Sequence, residues 1–432
     1  MKKTKSTFVI LLFIVAYFLI FINILPPKSR WVFPEVKLVL QPVPAVLTSQ
    51  QSITPLTNTK HFLVSAFMDQ RRKGFDVRII GIFRRDSIHP LHCIFFCAGF
   101  FSKNTSAYVL VHSDHFGFPF GATDVLCSIP ENCNATHVTL LTKKNPVNIS
   151  DHLWLPIKNK KTHNKETRVN FTVCISTLFG DYNNVLQFTQ SLEMYKLLGV
   201  NRVVIYNTSC GPELDRLLKS YSQEGFVEMV PWPINQYLNP SKGWNFKEHG
   251  GDLHYFGQIV TLNECIYRSM EHEIITPYQH NNLNSMMDML QSQHSNVAEF
   301  LIENHIFSKK HFEPSGRFHL PRWNKVPGVN ILEHIYREDP DRNFYHPLKI
   351  IVQPRLVEQT SVHEVLKKFG QRFKVPMGVC RIIHIREALR GSLKLEQLHE
   401  DKRLWDFQEK LIPNVDKALQ RAGLLREEEE QS

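Results

Sequence analysis

The chain has 432 residues, of which 43% are hydrophobic and 21% charged. It is too long for one average domain and too apolar for a disordered protein, so two packed domains are expected. Lysine and arginine number 51 against 41 acidic residues, a net charge of +10. The cations are scattered and do not form the basic stripe of a nucleic-acid binder, which excludes nucleic acid as the main partner. Eight cysteines without a C-x-x-C pair exclude a disulfide scaffold and a structural zinc module.

The N-terminal residues predict a membrane anchor. Residues 1–7 carry three lysines, and residues 8–25 form an apolar run in which only Asn23 is strongly polar. A run of this length is typical of a transmembrane helix. A cleaved signal peptide is the alternative, but its apolar core is usually shorter and ends in small residues, not in Pro26-Pro27-Lys28. The positive-inside rule then places residues 1–7 in the cytoplasm and the remainder in the lumen or outside the cell.

Glycosylation sequons and cysteines agree with an extracytoplasmic location. Five N-x-S/T sequons lie at Asn104, Asn134, Asn148, Asn170 and Asn207. The first four are the predicted acceptors, because Asn207 lies at a predicted strand end where a glycan would obstruct a ligand. Cys127 and Cys133 flank a five-residue loop, and we predict a disulfide between them. Cys93 and Cys97 lie in an apolar run and can equally be buried thiols.

The chain after the anchor divides by composition. Residues 26–74 are rich in Pro, Ser, Thr and Gln and predict a stem with a helical turn near residues 62–67. Residues 75–165 predict a small β-rich domain, because short apolar runs alternate with turn residues. Its expected strands are 77–83, 92–101, 108–112 and 137–141.

Residues 166–425 alternate strand and helix patterns and predict an α/β domain, followed by an acidic tail at residues 426–432. Strands are expected at 169–178, 202–206 and 226–230, helices at 184–198 and 212–224, and a helix-length segment ends at 270. Alternation of this kind predicts parallel strands with helical crossovers. Ligands of such sheets bind at the carboxyl ends of the strands, here near residues 177–181, 206–209 and 231–233.

A Gly-Gly turn precedes Asp252 before the last of these helices. Such a turn can cap a helix or present backbone amides to an anion, and both interpretations stay open. A metal cluster of His249, Asp252 and His254 is a weaker alternative, because its ligands would have to converge from both sides of the cap.

Several ordered segments closely resemble animal members of glycosyltransferase family 92. They include HSDHFGFPFG, LFGDYNNVLQFTQSLEMYKLLGVNRVVIYNTSCGPEL, HGGDLHYFGQIVTLNECIYR, ITPYQH, FLIENHIF, EPSGRFHLPRW, PGVNILEHIYRE, PRLVEQTSVHEVL and LIPNVDKALQRAGLL. The resemblance covers about residues 75 to 425. It implies a GT-A fold and a type II Golgi membrane protein. It also implies inverting, β-1,4 transfer of galactose from UDP-galactose to a glycan, with a divalent cation, commonly manganese.

This resemblance gives roles to the candidate residues. Donor binding is assigned to Thr177, Asp181, Tyr206, Ser209, Asp252 and Gln258. Proteins with a GT-A fold often supply a late histidine to the metal, which indicates His384 first and His363 second. For the base that deprotonates the acceptor we prefer Glu303, at a strand end; Glu333 and Glu358 also qualify by residue type. Sugar stacking is a possible role for Trp232, Trp244 and Trp323, and core packing is the alternative.

The sequence departs from the family pattern after Arg268. Family members continue there with an apolar strand and an acidic D-x-D turn, whereas this chain runs directly through Met270 into Glu273. Carboxylates at that position would hold the cation that neutralises the departing diphosphate. Asp339-Pro340-Asp341 is the one literal D-x-D, but no apolar strand precedes it. The gap is either an artefact or splice variant of an ordinary enzyme, or a true paralogue that binds glycans or UDP-sugars without catalysis.

Overall fold

The computed structural model describes residues 46–143, 149, 152–160, 171–270, 282–339, 348–387 and 393–426. The predicted anchor at residues 8–25, the sequons Asn148 and Asn170, the acidic tail beyond residue 426 and the segment 271–281 lie outside these ranges. Within the described residues, no helix has the length and hydrophobicity needed to cross a membrane.

The N-terminal part is one sheet of ten strands. Their order is β6-β5-β9-β10-β3-β4-β8-β7, with β1 beside β10 and β2 beside β3. The strands are β1 (Leu47–Thr48), β2 (Thr54–Pro55), β3 (Phe62–Met68), β4 (Val77–Arg84), β5 (His92–Phe96), β6 (Thr105–Ser106), β7 (Tyr108–Val111), β8 (Phe120–Cys127), β9 (His137–Leu141) and β10 (Leu153–Lys158).

The β-rich prediction is confirmed for this part, but the helical turn expected at residues 62–67 is wrong. That segment is β3, which is buried along most of its length and pairs with β4 on one side and β10 on the other. Strands β1 to β3 all fall inside the predicted stem. The described residues belong to a single compact unit that begins at Pro44, and the domain boundaries stay a prediction.

A parallel three-stranded sheet with helical crossovers follows, as predicted. Its order is β11-β12-β13, and both pairs of strands are parallel. The elements are β11 (Phe171–Leu178), α1 (Val185–Leu197), β12 (Val200–Asn207), α2 (Pro212–Gln223), β13 (Val227–Pro231), α3 (Phe246–His249) and α4 (Gln258–Arg268). Pro212 opens α2, where the missing N–H of proline costs no hydrogen bond.

The C-terminal part adds three small sheets and two helices. The sheets have the orders β17-β14-β20, β21-β15-β16-β22 and β18-β19. Their strands are β14 (Val297–Ile302), β15 (Asn304–Ser308), β16 (Tyr336–Arg337), β17 (Lys349–Val352), β18 (Val357–Thr360), β19 (Val365–Lys368), β20 (Gln371–Lys374), β21 (Ile382–Arg386) and β22 (His399–Glu400). The helices are α5 (Leu283–Gln293) and α6 (Gln408–Arg421). Short 3-10 helices lie at Ile234–Gln236, His254–Gly257, Pro321–Trp323, Ile331–Glu333, Pro354–Leu356, Leu395–Gln397 and Arg403–Phe407.

The parallel sheet is covered on both faces, because successive residues of a strand point to opposite sides. On β12, Val203 and Ile205 pack into a core with α1, α2 and α6. Val204 and Tyr206 point the other way, into a core with α4 and the N-terminal strands β3, β4 and β8. The N-terminal sheet therefore buries the second face of the parallel sheet and shares a core with it.

A buried arginine joins the N-terminal sheet to the C-terminal part of the chain. Arg78, on β4, is 1% exposed and forms ion pairs with Asp69 at 2.9 Å, Asp124 at 2.5 Å and Glu358 at 2.9 Å. Glu358 belongs to β18, so the cluster joins the N-terminal sheet to the C-terminal part. Buried charges of this kind are tolerated because each is paired and hydrogen-bonded.

The structure corrects the predicted disulfide between Cys127 and Cys133. Cys127 pairs with Cys93 and Cys133 pairs with Cys97, at Cα separations of 6.1 and 5.0 Å. Cys127 ends β8 with its side chain fully buried in the core that also contains Cys93, whereas Cys133 lies beyond the next turn. Spacing along the chain could not show this, because the partners meet through the packing of different strands. A third bridge, Cys174–Cys265, joins β11 to α4.

Candidate active site

The loops after β11 and β12 meet at the carboxyl end of the parallel sheet, as the sequence predicts. Gly180 and Asp181 both have left-handed backbones, with φ of 66° and 53°. The backbone N–H of Asp181 donates to Oγ of Ser209 at 3.3 Å, and Asp181 itself is exposed. The structure therefore brings together two of the residues predicted to bind the donor.

A strained turn leads into α4 beside these loops. Tyr255, Phe256 and Gly257 have φ of 41°, 53° and 79° in succession. Left-handed residues other than glycine cost on the order of 1–3 kcal/mol and cluster at ligand sites. The turn is held because the rings of Phe256 and Phe179 stack at 4.2 Å and Nε1 of Trp232 donates to the carbonyl of Phe256 at 2.7 Å.

Helix α4 begins at Gln258, directly against β11. Nε2 of Gln258 donates to Oγ of Ser176 at 3.0 Å, on the same face of β11 as Cys174. Thr177 is half-buried and, by strand alternation, points to the opposite face. The structure thus places Gln258 at this strand end and turns Thr177 away from it.

Two residues predicted to bind the donor form hydrogen bonds with other parts of the protein. Tyr206 is fully buried and its phenol donates to Glu264 of α4, so its side chain faces the N-terminal sheet. Oδ2 of Asp252 accepts the N–H of Asn239 at 2.8 Å. Asp252 does not cap α4, whose N-cap position is Gly257, and it ties two loop segments together instead.

Trp244 presents an exposed ring next to the strained turn. Its side chain is 42% exposed. It packs at ring-centroid distances of 5.4 Å from Phe116, 5.1 Å from His254, 5.6 Å from Tyr255 and 6.2 Å from His363. The other two tryptophans considered for sugar stacking are buried. Trp232 donates a hydrogen bond to Phe256, and Trp323 donates one to Asp416. Of these three tryptophans, Trp244 alone can offer a face to a sugar ring.

His254 lies beneath Trp244 as a neutral, buried imidazole. It is 3% exposed, and neither ring nitrogen has a hydrogen-bond partner within the part of the chain described. Burial lowers its pKa to about 4, although the nearby Asp114 carboxylate opposes that shift. His249 and Asp252 bond to other groups, so the structure does not support the alternative metal cluster with His254.

Asp114 and Ser361 are site residues that the sequence analysis missed. The hydroxyl of Ser361 donates to Oδ2 of Asp114, and Asp114 and His254 line the same small pocket. Two residues further along the chain, His363 stacks on Trp244 with an interplanar angle of 19°. The density of His and Asp in HSDHFG was the signal that could have indicated Asp114.

The two predicted metal ligands lie near each other but among cations. His384, on β21, is within 3.2 Å of Nδ2 of Asn304. Burial, and then the charges of Lys349, Arg386, His363 and Lys309, lower its pKa to about 4. The pKa of His363 is likewise lowered by burial and then by Lys349.

This environment does not fit a hard divalent cation. Such ions prefer carboxylate and carbonyl oxygens, and two imidazoles beside lysine and arginine supply none. Across the described ranges, no group of three His, Cys, Asp or Glu side chains could hold a metal ion. Asp339, from the literal D-x-D, is bound by Arg337 at 2.5 Å and His399 at 2.7 Å. The described residues therefore carry no manganese site.

The predicted base, Glu303, is ion-paired. Its Oε1 is 2.6 Å from Nζ of Lys374, and its Oε2 is 4.0 Å from Nε2 of His305. The alternative Glu358 is bound to Arg78 in the buried cluster, and Glu333 lies 3.3 Å from His319. Within the described part of the chain, none of these three glutamates forms a hydrogen bond with Trp244.

Residues 169–422, more than half of the chain, match the model of Glycosyltransferase family 92. The chain therefore belongs to glycosyltransferase family 92, whose members use a nucleotide-sugar donor and a glycan acceptor. A comparison with curated proteins gives no match.

Proposed function

We propose that this chain is an inverting galactosyltransferase that moves galactose from UDP-galactose to a glycan in β-1,4 linkage. Family membership supports sugar transfer from a nucleotide, and the resemblance of the sequence motifs supports galactose. The observation that carries the proposal is the exposed ring of Trp244 against the strained turn at Tyr255 and Phe256.

The carboxyl end of the parallel sheet positions the acceptor and the donor side by side. The sugar of the acceptor stacks on Trp244, because an exposed indole face packs against the C–H groups of a sugar ring while the hydroxyls stay free to hydrogen-bond. The donor lies beside Asp181 and Gln258, where the loops after β11 and β12 and the start of α4 meet. Rigid placement of both substrates supplies much of the rate, since it removes the entropic cost of bringing them together.

An inverting reaction needs a base within reach of the acceptor hydroxyl. That oxygen attacks C1 of galactose, its proton passes to the base, and the bond from C1 to the UDP oxygen breaks, releasing UDP. Glu303 is the base predicted from sequence. Asp114 is a second candidate that the structure favours, because it lies against the His254 ring that also packs on Trp244.

The leaving diphosphate can be neutralised by the cations around His384. Arg386 shares a face of β21 with His384, and the N–H of Lys309 donates to the carbonyl of Arg386 at 3.2 Å. Burial, and then Arg386, lower the pKa of Lys349. Among the described residues, no carboxylate oxygen is recorded within 4.0 Å of the Lys309, Lys349 or Arg386 side chains. Unpaired cations of this kind favour a negatively charged ligand.

The proposed location is the Golgi lumen, as a single-pass type II membrane protein. The apolar run at residues 8–25 supplies the anchor. Three disulfides support an oxidising compartment. Asn134 is exposed and open to glycosylation, whereas Asn104 and Asn207 are half-buried.

The test is transfer by the full-length chain in detergent, with UDP-galactose, UDP-glucose or UDP-N-acetylglucosamine as donor and oligosaccharides that differ in their terminal sugar as acceptors. We expect transfer from UDP-galactose only, with inversion at C1. Asp114→Asn should lower kcat by about 10²–10⁴-fold, as for loss of a general base, and Glu303→Gln by less. Binding of UDP and glycan without transfer by any donor would favour the rival function, a non-catalytic glycan- or UDP-sugar-binding protein.

A further inference from the structure

A second cavity lies away from the Trp244 site, between the N-terminal sheet and β13. Its volume is about 460 Å³, which is in the range of small-molecule sites. It lies beside β13, whereas the Trp244 site adjoins β11, on the other side of β12. Tyr206 lines this cavity, and the residues that surround Trp244 do not.

The mouth of the cavity is rich in amides and hydroxyls. Ser49, Gln50, Gln51 and Ser52 form one side, and Gln236 and Tyr237 the other. The hydroxyl of Tyr237 donates to Oε1 of Gln51 at 3.2 Å, and Ser52 donates to the carbonyl of Pro231. Gln50 and Gln236 are exposed, so their amides can donate to and accept from a hydroxylated ligand.

A buried carboxylate, whose hydrogen-bond acceptors are largely occupied, also lines the cavity. Glu264 is 1% exposed. Its oxygens accept from Ser65 at 2.8 Å, from the Tyr206 phenol, and from two nitrogens of Arg268 at 2.6 and 2.9 Å. Arg268 also bonds to Glu228 at 2.6 Å. Glu264 therefore has little capacity left to pair with a further cation.

Lys158 is the third cation beside two carboxylates, because Arg202 also pairs with Glu228 at 3.2 Å and Arg268 pairs with both Glu228 and Glu264. Its Nζ donates to Oγ of Ser65 at 3.0 Å and lies 3.6 Å from Glu264, and its side chain is 37% exposed. An ammonium has three donors, so one remains for the cavity. Burial lowers the pKa of Lys158, although Glu264 opposes that shift. A negative charge in the cavity would offset the cost of removing this ammonium from water.

We propose that this cavity binds a sugar carrying one carboxylate, with Lys158 as its counter-charge and the amides at the mouth as partners for its hydroxyls. The size of the cavity suits one or two sugar rings. Pro231, Pro233 and the Tyr237 ring supply apolar wall, which matches the C–H faces of a sugar. This site is independent of the proposed transfer reaction, because its lining contains none of the residues to which that reaction gives a role, namely Asp181, Gln258, Trp244, Asp114 and Glu303.

The experiment compares methyl β-glucuronide with methyl β-glucoside, which differ only in the carboxylate at C6. Binding to the full-length chain in detergent is measured by ligand-observed NMR in the presence of saturating UDP. We expect the glucuronide to bind at least tenfold more tightly than the glucoside. Lys158→Met should abolish this preference. Lys160→Met removes the same charge two residues away, outside the cavity, where the ammonium contacts Asn134, and should preserve it.

Equal affinity for the two sugars, or no binding of either, would overturn the proposal. So would loss of glucuronide binding when UDP is added, because the sugar would then occupy the donor site. A preference for the glucuronide that survives in Lys158→Met would also contradict it. None of these results depends on transferase activity, so failure of the catalytic proposal would leave this test unaffected.

Discussion

Trp244 and His363 stack face to face, with ring centroids 6.2 Å apart and an interplanar angle of 19°. Trp244 follows the last strand of the parallel sheet, and His363 follows β18 in the C-terminal part. The contact therefore lets two distant segments build one surface beside the strained turn at Tyr255. Trp244 stays 42% exposed although His363 and three further rings pack around it.

Replacing Trp244 should weaken acceptor use without unfolding the protein. We expect Trp244→Ala to raise the KM for acceptor about 2- to 10-fold, which corresponds to loss of an aromatic contact of about 0.5–1.5 kcal/mol. Trp244→Phe should raise the KM less, because the phenyl ring keeps part of the contact with the sugar. Phe312→Ala, at an aromatic ring that is 58% exposed and distant from this surface in the chain, is the control. An unchanged KM for Trp244→Ala would remove the platform from the proposed site.

Gly257→Ala tests whether the strained turn positions α4. A Cβ at Gly257, where φ is +79°, would approach Leu253 and Trp232 to 3.2 Å. Gly225 has a similar φ of +76° with nothing within 4 Å of the added Cβ, so Gly225→Ala isolates the backbone cost of about 1–2 kcal/mol. Thermal unfolding should show a larger loss for Gly257→Ala, and only that variant should slow transfer. Equal effects of both substitutions would show that the turn has no role beyond its backbone conformation.

Much of the fold could be predicted from local patterns. The 3.6-residue periodicity predicted α1 to within one residue at each end, and the short apolar run at His137–Leu141 gave β9 directly. Strand β3 was missed because its buried residues lie within a segment rich in Pro, Ser, Thr and Gln, which predicted a stem.

The candidate site was predicted only in part. Strand ends indicated that Asp181 and Ser209 lie close together, because chain order fixes where parallel strands end; their role in donor binding stays a prediction. The Asp114–Ser361 contact and the exposure of Trp244 depend on tertiary packing. The disulfide partners were missed for the same reason, since sequence spacing does not show which strands are neighbours.

Buried neutral histidine should make the protein acid-sensitive. The pKa of His254 is about 4 in the folded protein, against an ordinary value of 6.5. Between these values the unfolded chain binds a proton that the folded chain does not, so the free energy of unfolding falls as pH decreases. The slope approaches about 1.4 kcal/mol per pH unit for this group. Urea unfolding from pH 7 to pH 4 should show a shallower decline for His254→Phe. His319→Phe, at a side chain 66% exposed, is the control.

Removing Arg78 should destabilise the contact between the N-terminal sheet and β18. Arg78→Met leaves Asp69, Asp124 and Glu358 buried without their cation, and we expect a loss of about 3–5 kcal/mol. Arg84→Met breaks an exposed pair with Asp86 and should cost far less, because solvent screens that pair. Each variant removes one positive charge from the same strand, β4. Similar denaturation midpoints for both would contradict the role given to Arg78.

The last prediction concerns the diphosphate. As the sequence stands, manganese should not tighten UDP binding, because His363 and His384 lie beside Lys349 and Arg386 and no carboxylate of the described residues completes a metal site with them. UDP should bind in EDTA, and Lys349→Met with Arg386→Gln should weaken that binding about tenfold or more, since each lost charge contact is worth on the order of 1 kcal/mol. Lys310→Met serves as the control for loss of a nearby lysine.

Inserting the strand and D-x-D turn of the family between Met270 and Glu273 should make transfer manganese-dependent and faster by orders of magnitude, at about tenfold for each 1.4 kcal/mol of added charge stabilisation. If manganese instead tightens UDP binding to the unaltered chain, the basic residues are not what holds the diphosphate, and a carboxylate outside the described residues must do so.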